Sequence, residues 1–136
     1  MDVAEAQDFF KKNHRAVLAT RRKDGSPQLS PITTGVHTDG RLMISTRETA
    51  MKTKNMAREP RVSLCGLDDQ FFGEWVQADG TAEIIYLPEA MELLVQYYRD
   101  ISGEHPDWDD YRRAMEDEQR VMVLVTIERA GPNVSG

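Results

Sequence analysis

The chain has 136 residues, 40% of them apolar and 29% charged, with a formal net charge of −6. That balance argues against general nucleic-acid binding, which needs a basic face, and no apolar run reaches the roughly 18–20 residues of a membrane span. The one cysteine, Cys65, excludes an internal disulfide. With an N-terminus lacking the basic start and apolar core of a signal peptide, it leads to the expectation of a cytoplasmic protein folded as one domain over residues 1–136.

Asp2 can cap a first helix whose apolar positions Val3, Ala6, Phe9 and Phe10 fall on one side. Strand-like text follows from Arg15 to Arg22, and Asp24-Gly25 marks a turn. A second strand is predicted over Pro27–His37. Asp39-Gly40 then turns it into a third, Arg41–Thr46. Two successive Asp-Gly turns between apolar runs describe an antiparallel meander and exclude a parallel sheet in this half.

A short helix is predicted near Thr49–Arg58, stopped by Pro60, and a fourth strand over Arg61–Leu67. The apolar stretch Phe72–Tyr86, interrupted by Ala78-Asp79-Gly80, fits a hairpin or one continuous strand with a glycine bulge equally well. Pro88 opens a helix over Glu89–Ile101, a second helix lies near Asp107–Glu118, and Arg120–Arg129 is the last strand. Six strands with late helices predict an α+β domain on a closed or half-open antiparallel barrel.

Positive charge collects in the middle of this acidic chain. From Arg47 to Arg61 there are five bases (Arg47, Lys52, Lys54, Arg58 and Arg61) against the acids Glu48 and Glu59. A strand end, a hydroxyl-bearing turn and a helix start form an anion cradle, because outward N–H groups and the helix dipole favour negative charge. Lys52 and Lys54 stand two apart, so they cannot share one helix face and only one can address a given phosphate. Pro31 cannot donate to a ladder and predicts a strand edge or break. The acids around His105 match no metal spacing and suit a helix N-terminus. Nothing suggests a covalent nucleophile or a metal site, and no catalytic side chain is indicated.

Val17-Leu18-Ala19-Thr20, Asp24-Gly25-Ser26-Pro27-Gln28-Leu29-Ser30, Lys52-Thr53-Lys54-Asn55 with Pro60-Arg61-Val62, and Gly80-Thr81-Ala82-Glu83 occur in that order. This succession resembles the pyridoxamine-phosphate-oxidase-like flavin-binding split barrels. The run from Tyr98 to Arg112 resembles a narrower group, the actinobacterial coenzyme F420 (deazaflavin)-dependent oxidoreductases of the B type. The resemblance implies a six-stranded antiparallel split β-barrel with flanking helices, forming a homodimer with cofactor sites at the interface.

It also implies roles. Lys52 would hold the cofactor phosphate, with Met51, Lys54 and Asn55 nearby and Ser45, Thr46 and Arg47 beside it. Gln28, Ser30, Pro31, Ile32 and Thr33 would line the ring, and Trp75 and Gln77 would reach in from the partner subunit. Some relatives carry an arginine two residues before the lysine, where this chain has Ala50; Arg47 is the expected substitute. The implied activity is hydride transfer from reduced F420 to an electron-poor small molecule, a chemistry in which the cofactor reacts and the protein orients it. The alternatives are an FMN-binding oxidase or flavoprotein on the same fold, and a non-catalytic dimer that binds a cofactor or tetrapyrrole.

Overall fold

The computed structural model describes residues 1–131. Helix α1 (Val3–Lys12) starts on a capping box, Asp2 accepting from the Glu5 amide while Glu5 reaches back to the Asp2 amide. Its apolar stripe, Ala6, Phe9 and Phe10, is buried. Strands β1 (Arg15–Arg21), β2 (Pro27–Thr33), β3 (Gly35–Val36) and β4 (Leu42–Arg47) follow. Next come helix α2 (Met51–Arg58), β5 (Arg61–Leu67) and β6 (Trp75–Ile85), then helices α3 (Met91–Ser102) and α4 (Trp108–Asp117), and β7 (Arg120–Ala130). Both Asp-Gly turns form, with Gly25 at φ 86° and Gly40 at φ 93°, a region that penalises any side chain.

The strands form one antiparallel sheet in the order β2-β1-β5-β6-β7-β4-β3. The sequence predicts six strands and the structure has seven, because the expected second strand breaks at Thr34. Before the break it pairs with β1, and after it with β4. The buried Thr34 is held by both sides: its amide donates to the His14 carbonyl at 2.7 Å, and its hydroxyl donates to the Met43 carbonyl at 3.1 Å. One segment therefore carries both edges of the sheet, which curls until β2 comes back against β4. The split in the barrel lies at this change of partner.

Of the two readings of Phe72–Tyr86, the continuous strand is the one formed. β6 runs unbroken through Asp79 and Gly80 with a bulge between them. Gly80 lies so close to β7 that a Cβ would overlap the Thr126 carbonyl oxygen.

Two apolar layers share the sheet. Inside the barrel, Leu18, Leu42, Ile44, Leu64, Val76, Val123 and Val125 pack with Phe10 and Met56. On the outer face, Met43, Met122 and Leu124 pack under Leu94 and Val95 of α3 and Tyr111 and Met115 of α4. β4 and β7 are thus buried on both faces, which is why they read as near-continuous apolar runs. β2 is an edge strand, alternately half-buried and exposed. No helix among the described residues is long and apolar enough to cross a membrane.

Candidate functional site

The turn that joins β4 to α2 is fixed by hydroxyls. The Thr53 hydroxyl donates to the Arg47 carbonyl at 2.6 Å and lies 3.3 Å from the Thr46 hydroxyl, with both threonines buried. This fold-back places the first turn of α2 beside the end of β4. The helix begins at Ala50 with no side-chain cap and no acid in its first turn. By contrast, α1 and α4 begin on the carboxylates of Asp2 and Asp107. An uncapped N-terminus leaves amide groups for an outside acceptor, and its dipole favours an anion there.

Next to it lies an open cavity of about 460 Å³, within the size range of small-molecule sites. Pro31, Ile32 and Thr33 of β2, Ser45 of β4 and Lys52 of α2 line it. It is also lined by Tyr97 and Tyr98 of α3, Tyr111 and Met115 of α4, Glu118 at the C-cap of α4 and Arg120 at the start of β7. Two of the tyrosine hydroxyls are engaged by backbone: Tyr97 donates to the Thr33 carbonyl at 3.0 Å and Tyr111 to the Leu94 carbonyl at 2.8 Å. Burial pushes the Tyr97 hydroxyl above its ordinary pKa and the Tyr111 hydroxyl up to about 12, so both stay neutral.

The cavity brings together Pro31, Ile32, Thr33, Ser45 and Lys52, five of the residues named from the sequence. Lys52 has no ion-pair partner among the described residues and so keeps its charge for a ligand. Lys54, two residues on, is exposed and off the lining, as helix geometry requires. Gln28 and Asn55 sit behind the site and hold it. Asn55, 1% exposed, donates to Gln28 Oε1 at 2.7 Å and to the Thr20 hydroxyl at 3.1 Å, and it accepts from Arg58 at 3.1 Å. Its amide is fully occupied within the protein. Thr46 is likewise a buried partner of Thr53, and Ser30 and the exposed Met51 lie outside the lining.

Arg47 also stands off the cavity, its side chain 57% exposed and paired with Glu118 at 3.4 Å. Trp75 and Gln77 lie away from this chain's cavity. Trp75 borders α1 near Phe9 and Lys12, and its buried indole N–H has no acceptor among the described residues. The acids around His105 act locally. The Asp107 carboxylate accepts from the Asp110 amide, while Glu104 accepts from the Trp108 indole and pairs with Arg99. Sequence reasoning missed the α3, α4 and β7 wall. Its one signal was the Tyr98–Arg112 run, which carried a resemblance but no assigned role.

The sequence profile of the family described as pyridoxamine 5'-phosphate oxidase matches residues 3–133. The chain belongs to this family. Among solved members of the fold, a conserved hypothetical protein from Mycobacterium tuberculosis is 30% identical, covering 96% of this chain and 82% of its own, with a TM-score of 0.76. A structure described as an F420 reductase is 18% identical over 92% of this chain and 94% of its own, with a TM-score of 0.71. A heme binding protein from Mycobacterium smegmatis is 18% identical over all of this chain and 58% of its own, with a TM-score of 0.73. In this pyridoxamine 5'-phosphate oxidase family member, the fit to a phosphate-bearing ring cofactor rests on three features. They are a lysine with no ion-pair partner among the described residues at an uncapped helix start, an edge strand with no partner strand on its outer side among the described residues, and three tyrosines lining the same cavity.

Proposed function

We propose that the chain is a homodimeric oxidoreductase dependent on coenzyme F420, acting on an electron-poor organic molecule. The observation that carries this reading is that Lys52 and the β2 edge at Pro31–Thr33 line one cavity. When bound, the reduced deazaflavin supplies the hydride, a chemistry for which the chain has no side chain of its own. Lys52 and the start of α2 hold the phosphate. The free side of β2 aligns the heteroatom rim, and Tyr97, Tyr98 and Tyr111 exclude water from one side. Trp75 and Gln77, which find no role in their own chain's cavity, border the partner's site. The 30%-identical relative and the F420 reductase neighbour support the family and fold behind this reading.

Titration of the purified protein with F420, FMN and hemin tests it. Saturable binding of F420, tighter than FMN and hemin, is expected, with oxidation of reduced F420 by at least one of a panel of quinones, nitroaromatics and bilin-type acceptors. A protein that purifies yellow with tight FMN, or that binds hemin and ignores F420, overturns the cofactor assignment. Binding of F420 without turnover by any acceptor overturns the activity. Sedimentation equilibrium at twice the chain mass is the expected state.

A further inference from the structure

The charged groups of the cavity are unevenly matched. Lys52, Glu118 and Arg120 line it, and the remaining lining residues carry no charge at neutral pH. Arg120 is committed, its Nε and one terminal nitrogen donating to the same Glu118 oxygen at 3.1 and 2.8 Å. Arg47, outside the cavity, reaches that oxygen too, at 3.4 Å. The hydrogen bonds and charge of Arg120, and then of Arg47, hold the Glu118 carboxyl below the ordinary carboxylate range, so it is ionised at neutral pH. Ala50 adds no base at the helix start. The cavity thus presents two cations and one carboxylate, leaving one net positive charge, centred on Lys52.

We infer that Glu118 is a specificity-determining residue that matches this site to a singly charged phosphodiester and against a doubly charged phosphomonoester. This rests on the reading of Lys52 as the phosphate anchor. A phosphomonoester carries about −1.5 to −2 at pH 7, whereas a diester keeps a single charge. The first charge meets Lys52. A second finds both nearby arginines already paired with Glu118 and meets the carboxylate itself. A like-charge contact in a partly buried site costs about tenfold or more in affinity. At the Lys52 position the deazaflavin's phosphodiester passes this filter, its tail carboxylates lying further along the molecule, and the phosphomonoester of FMN is disfavoured.

Glu118→Gln tests the filter, with F420, FMN and riboflavin as probes in fluorescence titrations. The expected result is a fall of at least tenfold in the preference for F420 over FMN, with riboflavin, which has no phosphate, unchanged. An unchanged F420-to-FMN ratio overturns the inference, as does an equal gain for FMN and riboflavin. Thermal unfolding checks that the variant folds. If it does not, Ala50→Arg, which adds a cation at the helix start, decides: a tenfold gain for FMN relative to F420 supports the charge balance, and no change overturns it. Lys52→Ala separates the two readings. Loss of both phosphate probes there, with an unchanged ratio in Glu118→Gln, removes the filter and keeps the phosphate site. Unchanged binding of both in Lys52→Ala removes both.

Discussion

Asn55 and Gln28 meet at 2.7 Å, the amide nitrogen of the first donating to the side-chain oxygen of the second. This contact fastens α2 to the edge strand β2, and those are the two elements that bring Lys52 and Pro31–Thr33 to one cavity. The anion end and the ring end of the site are set apart by a hydrogen bond that touches neither.

Asn55→Ala removes that link and leaves the Gln28 oxygen and the Thr20 hydroxyl without their donor. Loss of a buried network of this kind costs about 1–3 kcal/mol. Urea denaturation is expected to show a lower midpoint with an unchanged slope, and cofactor affinity is expected to fall although no ligand contact is deleted.

Lys52→Ala is expected to weaken phosphate-bearing cofactor binding by about 1.5–3 kcal/mol, the worth of a hydrogen bond to a charged group. Lys54→Ala, exposed and outside the cavity, is expected to leave cofactor affinity close to that of the parent protein. Paired titrations of the two variants measure the contrast, and equal losses would remove the helix-face argument.

Gly80→Ala puts a methyl group against the backbone of β7 at Thr126, where no side chain can rotate away. The expected cost is about 3 kcal/mol or more, the upper end for overpacking. Differential scanning calorimetry would register it as a large drop in the unfolding temperature. A Gly80→Ala protein as stable as the parent would mean that the two strands can part at the bulge.

Alkaline pH provides a fourth test. Tyr111 is raised from an ordinary value of 10.0 to about 12 by burial, so between these values the unfolded chain loses a proton that the folded chain keeps. The folded state then binds more protons, and stability falls as pH rises through that window. Ultraviolet titration is expected to find Tyr111 among the last tyrosines to ionise, and Tyr111→Phe to flatten the alkaline fall in stability.

The sequence made its local features legible. Asp2 and Asp107 cap the helices they precede, and the Asp-Gly pairs turn where they stand, because capping and turn chemistry act over a few residues. The helix spacing of Lys52 and Lys54 sorted one into the cavity and the other out of it. The break at Thr34 was hidden, since Ile-Thr-Thr-Gly-Val reads as unbroken strand and its cause is competition between β1 and β4 for partners. The Tyr97, Tyr111, Glu118 and Arg120 wall was hidden for the same reason. It meets Lys52 only after β7 has paired with β4, and no local pattern encodes that register.

β7 lies between β6 and β4, so the last strand in chain order occupies the interior of the sheet. During synthesis, everything before it can assemble only as two separate ribbons, β2-β1-β5-β6 and β4-β3, each with an apolar face still bare. Such long-range pairing is slow and leaves strand edges exposed while it waits. A nascent chain paused short of Arg120 therefore has no barrel to rest in, and a chaperone that shields those ribbons would raise yield more than one that acts on the finished fold.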